Sequence, residues 1–430
     1  LPLLRILGVW FGLAVVVGGT IGAGVLRTPG LVMSYTGSPT LALAVWLTAG
    51  LFAMAAASCL AELATAIPKS GGFYVFARRA LGDGFGFVAG SADWLANCSA
   101  VAYVAISAAE YIGLLQPALA GHETLVASVS IVAVSLLQLM GMRASSRLQE
   151  AASLIKAVAF LALVVALFMA PGSEAGTPAT TAGSSSVPWP VAMALALQLA
   201  IGAYDGWQSG GYFAGEDVAP GHNLPRATIG GVAIVMLVYL LLNAAVQHVL
   251  PVAQIARSTL PIADAAAHVF GNAGATAVTL IAVWSPLSLM SVTLLCLPRI
   301  LFAMGADGVL PAVLGTADRR GTPVRALLCS AVASVAAVQI GAFESVATVF
   351  AVFVFTGYLS ALVSLLVLRR REPELPRPFR VWGAPWSVAA VIAGYLAILA
   401  GIVVGAPTEA SIAIAALAAS YAVYRAARVR

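Results

Sequence analysis

Apolar residues run along this chain in long blocks divided by short polar stretches, with neither strand alternation nor the narrow stripe of a surface helix. About 20 predominantly apolar residues suffice for a helix to cross a bilayer. Such blocks fall at 8–33, 39–66, 84–113, 123–142, 147–170, 188–213, 227–250, 272–304, 323–341, 343–368, 384–405 and 408–426, predicting an all-α membrane protein with 12 transmembrane helices. Only a Gly-Ala-Pro-Thr-Glu turn divides the last two.

Two blocks are interrupted. The first contains 18–GGTIGAG–24, and the sixth reads 198–QLAIGAYDGWQSGG–211, with Gly202, Gly206, Gly210 and Gly211 near its middle. Glycine weakens a helix interior, and within lipid no water satisfies a backbone that opens. Five crossings separate the two, so they enter from opposite sides. Matched interruptions of this kind point to an inverted-repeat transporter with its site at the bilayer midplane. The spacings Gly18–Gly22 and Gly202–Gly206 equally fit small-residue faces for close helix packing. The pattern alone leaves both readings open.

Composition narrows the class. The 430 residues are 61% hydrophobic and 9% charged, against roughly 25% charged in soluble domains, so no separate soluble domain is expected. The net charge of +5 reads as topology rather than as affinity for nucleic acid. A cytoplasmic N-terminus gathers Arg143, Arg147, Arg319, Arg320, Arg325 and the basic 369–RRREPELPRPFR–380 loop on one side. The opposite loops carry mainly carboxylates, Glu123, Asp264 and Glu409 among them. Such a Lys/Arg bias orients spanning helices. The first block lacks a convincing cleavage site and reads as a retained helix. Cys59, Cys98, Cys296 and Cys329 lie in apolar blocks without metal-ligand spacing, and the four histidines lie at helix ends and loops. No metal site, cofactor motif or nucleophile–base constellation is expected, which argues against an enzyme. GGTIGAG lacks the GxGxxG and GK[ST] patterns of phosphate loops.

Four further stretches carry a family likeness. They are 62–ELATAIPKSGGFYVFARRALGDGFGFVAGSADWL–95, 204–YDGWQSGGYFAGEDVAPGHNLPRA–227, 298–PRILFAMGADGVLP–311 and 368–LRRREPELPRPFRV–381. In this succession the chain resembles the amino acid–polyamine–cation (APC) permease superfamily. Within it, the chain looks closest to the sodium-independent branch of L-type amino acid transporters and bacterial proton-coupled permeases. The resemblance implies a leucine-transporter-type 5+5 inverted repeat with helices 1 and 6 discontinuous. The first repeat would span 1–170, the second 188–370, and two additional helices 384–426. It further implies a sodium-independent secondary transporter of amino acids working by alternating access, as an exchanger or a proton-coupled symporter. A membrane amino acid receptor or sensor retaining the fold is the second reading.

The implied site is built on the two breaks. Backbone N–H groups of Gly22, Ala23 and Gly24, at the positive end of a half-helix, would face a substrate carboxylate. Carbonyls near Gly19, Thr20 and Ile21, completed by Gly202, Ala203 and Asp205 beside Gly206, would accept from its ammonium. Relatives of the L-type branch begin the second break with a bulky aromatic, where this chain has Gly202. Closure then falls to Tyr204 or Trp207, or the pocket is roomier. Asp205 reads as an N-cap of the second half-helix or as a partner for a cationic group. Lys156 lies inside the fifth block, where an ionisable group is costly. By resemblance it replaces a sodium ion between helices 1 and 8, reaching hydroxyls of Ser285 or Ser288; a lysine snorkelling to the membrane edge is the alternative. Glu62 reads as structural or gating rather than as a proton relay, and for Asp93 and Glu110 an accessory proton position is the lesser alternative. The loop 114–LLQPALAGHE–123 lacks the cysteine that joins L-type members to a helper subunit, so no covalent partner is expected. The expected location is the cell membrane, with both termini cytoplasmic.

Overall fold

The computed structural model describes residues 3–22, 24–172, 188–339 and 343–428. Ala23, named above as a site residue, lies outside the described residues. In chain order the helices are α1 Val9–Thr20, α2 Gly24–Thr36, α3 Pro39–Ala66, α4 Phe73–Leu81 and α5 Asp83–Leu115. Next come α6 Glu123–Gln138, α7 Met142–Met169, α8 Trp189–Ala203, α9 Pro220–Val249 and α10 Val252–Arg257. The chain ends with α11 Pro261–Ala306, α12 Val324–Val338, α13 Phe343–Arg371, α14 Trp386–Gly405 and α15 Pro407–Arg428. A 3-10 helix, Trp207–Phe213, continues α8 beyond its break.

Several boundaries follow from local chemistry. Proline stands in the first turn of α3, α8, α9 and α11, where its missing N–H costs nothing. Gly72 and Gly82, both at positive φ, bracket α4. Helix α11 bends at Gly271, whose φ of 63° leaves the helical region.

Among the described residues, seven helices are long and apolar enough to cross a membrane: α3, α5, α7, α9, α11, α13 and α14. Helices α1 and α2, bent by 48° at their junction, make an eighth candidate. Helices α6 and α12 are apolar but shorter. Enclosure is uneven: 67% of the apolar window is buried in α5 and α11, against 22% in α14. The first broken segment packs against α7, α9 and α11, and the second against α3, α9 and α11.

The two broken segments run antiparallel, side by side. Phe11 meets the ring of Phe213 edge-on at 5.0 Å, and Val16 lies against Gly210. Gly19 lies against Gly206 and Ser209, and Gly24 against Ala203. As one segment advances, its partner retreats, so the breaks come level. The outer ends also behave alike. Gly30 of α2 abuts the Ile255 and Ser258 carbonyls at α10, while Gly215, past the 3-10 helix, abuts Ser70 just before α4. Ahead of α1, the Ile6 and Leu7 N–H groups both donate to Glu216 O at 3.0 Å.

Candidate functional site: two helix breaks and a buried lysine

Helix α1 ends because Ile21 turns extended (ψ 92°) while its N–H still bonds Val17 O. The last carbonyls of a helix have no partner within it. Here side chains from three other helices supply them. Lys156 Nζ, on α7, donates to Gly18 O at 3.1 Å, Ile21 O at 2.6 Å and Ser285 O at 3.2 Å. Ser285 Oγ, on α11, donates to Ile21 O at 2.9 Å. Tyr239 Oη, on α9, donates to Thr20 O at 3.0 Å. Lys156 is fully buried, so it does not snorkel.

The reach of Lys156 follows from helical spacing. Gln149, Ser153 and Lys156 share one face of α7, which lies along the α1 backbone. Ser153 Oγ donates to Ala14 O at 2.7 Å and accepts from Gln149 Nε2 at 3.0 Å. Their closeness accounts for Gly18, where a Cβ would run into Ser153 and Gln149. The serines behave differently from expectation. Lys156 uses the Ser285 carbonyl rather than its hydroxyl, because that hydroxyl is turned to Ile21 O. Ser288 lies 3.5 Å from Gln149 Nε2, one turn along α11 from the ammonium.

The second break is made differently. Helix α8 ends at Ala203, whose carbonyl accepts from Tyr239 Oη at 3.1 Å. Gly206 adopts φ 116°, and a Cβ there would strike the Gly19 carbonyl. Only glycine combines that conformation with that approach. Gly206 N donates to Gln208 Oε1 at 3.0 Å. Asp205 is not the N-cap: Gly206 holds that position without a side-chain cap, while Asp205 Oδ1 accepts from Tyr358 Oη of α13.

The two aromatic closure candidates are both engaged. Tyr204 is buried, with its hydroxyl on Trp46 O at 3.1 Å. Trp207 stacks on Tyr358 at 5.0 Å and 25°. The glycines divide into two kinds. Gly18, Gly19, Gly22 and Gly206 are buried where a Cβ would collide, Gly22 with Leu289 Cδ2 at 2.8 Å. Among the described residues of 18–24 and 202–206, only Gly24 and Gly202 are exposed; a Cβ at Gly24 would still press on Ala203 at 3.3 Å, whereas nothing stands within 4 Å of one at Gly202. Packing and opening, alternatives in the sequence, are thus assigned to different glycines.

Charged residues around the breaks form connections that spacing does not reveal. Glu62, fully buried at the end of α3, accepts from Arg369 Nε at 2.8 Å and Nη2 at 2.5 Å, and from Val381 N at 2.7 Å. Two of the quoted motifs therefore meet in one cluster. Asp93 of α5 accepts from Tyr212 Oη at 2.5 Å, Asn97 Nδ2 at 3.0 Å and Phe73 N at 3.2 Å. A Cβ at Gly72 would hit both Asp93 and Tyr212, which explains the second glycine of SGGFY. Arg299 grips Glu216 with Nε at 2.5 Å and Nη2 at 2.9 Å, fully enclosed. Arg27 of α2 bonds Glu110 of α5 at 2.5 Å, with both side chains about a third exposed. Tyr239, Tyr358 and the Arg299–Glu216 pair escape sequence reasoning. The available signal was a phenol within 232–VAIVMLVYLLL–242 and an arginine inside an apolar helix.

Several known transporters are similar to this chain along most of its length. The serine/threonine exchanger SteT of Bacillus subtilis strain 168 is 25% identical over 401 residues, covering 91% of this chain and 90% of the relative. The b(0,+)-type amino acid transporter 1 of Mus musculus is 26% identical over 388 residues, covering 87% of this chain and 78% of the relative. The human large neutral amino acids transporter small subunit 2 is 27% identical over 389 residues, covering 85% and 70%. The sequence profile of the amino acid permease family matches residues 7–423, nearly the whole described chain with both breaks inside it, and the chain belongs to that family of integral membrane proteins.

Proposed function

We propose that the chain is a sodium-independent amino acid transporter that exchanges substrates by alternating access, with the cargo's carboxylate and ammonium held at the two breaks. The observation carrying this reading is the Lys156 ammonium on the carbonyls of Gly18, Ile21 and Ser285. An ammonium there does for the first break and α11 what a metal ion would do, and leaves no need for sodium. Exposed Gly24 and Gly202 offer backbone to a ligand at the level where half-helix dipoles meet. The functions of the relatives, amino acid exchange and transport, support the cargo class.

The same reading organises the helices into twelve spans. To the seven long helices and the α1–α2 pair it adds α6, α8 with its 3-10 continuation, α12 and α15. Helices α4 and α10 then each follow the second span of a five-span half, as an inverted repeat requires. The antiparallel breaks, and the matching seats of α2 on α10 and of Gly215 on Ser70, support that symmetry. The N-terminus lies in the cytoplasm in this scheme, by the Lys/Arg bias.

Reconstituted liposomes test the proposal. Labelled serine, leucine and arginine should enter vesicles preloaded with unlabelled amino acid and be largely excluded from empty ones, equally well in sodium or choline buffer. Strict sodium dependence would overturn the role given to Lys156. Uptake into empty vesicles that is driven by an imposed pH gradient and lost when that gradient is dissipated would replace exchange by proton symport. Saturable binding without any uptake would favour the sensor.

A further inference from the structure

Where α7 meets α11, a stripe of buried polar residues runs from Lys156 down to the α6–α7 turn. Ser145, Gln149 and Ser153 stand at intervals of four, and Lys156 follows three residues on, so all share one face of α7. Across from them on α11, Ser288 Oγ lies 3.5 Å from Gln149 Nε2. Further along, Ser291 Oγ accepts from Gln138 Nε2, at the end of α6, at 3.0 Å. Buried polar atoms need partners. Along this seam Gln138 Oε1, Ser145 Oγ and Gln149 Oε1 have none among the described residues.

Gln138 and Ser145 line one cavity together with Met142, Leu294 and Arg299, with room for about one water molecule. Its walls decide what it takes. Arg299 brings charge, but its guanidinium is spent on Glu216 and Leu295 O, so no anion is called for. The other oxygens are neutral and few, whereas a hard cation asks for about six. Pro298, also in the wall, has no N–H for the Leu294 carbonyl four residues before it, which adds a third oxygen to Gln138 Oε1 and Ser145 Oγ. About three partners is what a buried water keeps. We infer that the seam binds water at the Gln138–Ser145 cavity, and that this water is the route by which the Lys156 ammonium exchanges protons with solvent at the α6–α7 turn. One helical turn, about 5.4 Å, separates Ser145 from Gln149, a span that two O–H···O bonds of about 2.7 Å bridge through a single water. Gln149 already bonds Ser153, next to Lys156 on the same face. At the other end Met142 N donates to the carbonyl of exposed Arg320. In each exchange one ammonium proton leaves to water and one from water replaces it, so the charge of Lys156 is unchanged.

The test uses purified protein in lipid nanodiscs without amino acid, so it stands apart from the transport reading. Lys69, exposed, is the one other lysine, so lysine-selective isotopic labelling isolates the Lys156 ammonium for NMR. Ser145→Val removes the hydroxyl and fills the cavity, and should slow ammonium–water proton exchange about tenfold, the kinetic equivalent of one lost hydrogen bond. Ser334→Val, buried on α12 away from the seam, should leave it within about twofold. A second reading needs no variant. Hydroxyl radicals formed from bound water by a brief X-ray pulse should oxidise Met142, which lines the cavity, and spare Met290, equally buried in an apolar cluster. Exchange as fast in Ser145→Val as in the parent, or too fast to observe in both, overturns the inference. So does a Met142 no more oxidised than Met290. If Ser145→Val does not fold, Gln138→Leu takes its place with the same two outcomes.

Discussion

The two breaks solve one backbone problem by different chemistry. At the first, carbonyls released by the end of α1 meet a cation: Lys156 covers Gly18 O and Ile21 O and binds Ser285 O as well. At the second, no cation appears among the described hydrogen bonds. A phenol serves Ala203 O, another phenol serves Asp205, and left-handed Gly206 carries the chain round. The first break is therefore pinned electrostatically to α7 and α11, the second by neutral groups on α9 and α13. A charged donor to a buried acceptor is worth roughly 1.5–3 kcal/mol and a neutral one about 1. The first break should be the more rigid member, with adaptation to ligand falling to the second.

Removing the cation should have the largest effect. Lys156→Met keeps a long apolar side chain but strands the Gly18 carbonyl and leaves Ile21 O to Ser285 Oγ alone, while Ser285 O keeps its bond within α11. At about 1–3 kcal/mol for each buried unpaired group, thermal unfolding of the purified protein should begin several degrees lower, and exchange should be lost. A Lys156→Met protein with parental stability and transport would end the contrast drawn between the breaks.

Next comes the steric pin of the second break. Gly206→Ala adds a Cβ against the Gly19 carbonyl at a φ of 116°. It should lower stability by more than about 1 kcal/mol, read by scanning fluorimetry, and abolish uptake. Ser285→Ala should cost less, about 1 kcal/mol, because Ile21 O keeps Lys156 at 2.6 Å; a fall as large as that of Lys156→Met would show that the hydroxyl, not the ammonium, holds the first break.

The smallest effect on stability belongs to Gly202→Ala, whose Cβ meets nothing within 4 Å. Its stability in thermal unfolding should match the parent within about 0.5 kcal/mol. A bulkier Gly202→Phe should also fold, while changing which labelled amino acids compete for uptake. Equal damage from Gly202→Ala and Gly206→Ala would erase the division between packing and open glycines.

Much of the helical architecture is legible in one dimension, because length and apolarity are local properties. The runs that became α3, α5, α7 and α9 need only counting, and the two glycine-rich interruptions are visible at once, though not whether they pack or open. The buried lysine also stands out, since an ionisable group inside an apolar run demands partners. Its acceptors do not stand out: Gly18 O, Ile21 O and Ser285 O are backbone atoms, and every residue has one. Asp205 shows the same difficulty from the other side. Next to a helix start it reads as a cap, yet its partner Tyr358 comes 153 residues later on α13.

The sequence by itself determined that this chain forms long apolar helices, that two of them carry glycine interruptions, and that a lysine falls inside an apolar block. Tertiary structure alone decided which glycines pack and which stay open, because that depends on what lies across the gap: Ser153 opposite Gly18, empty space beside Gly202. It also decided that one hydroxyl on α9 serves both breaks. The carbonyls of Thr20 and Ala203 become neighbours only when two segments far apart in the chain pack antiparallel, and no local pattern records that approach.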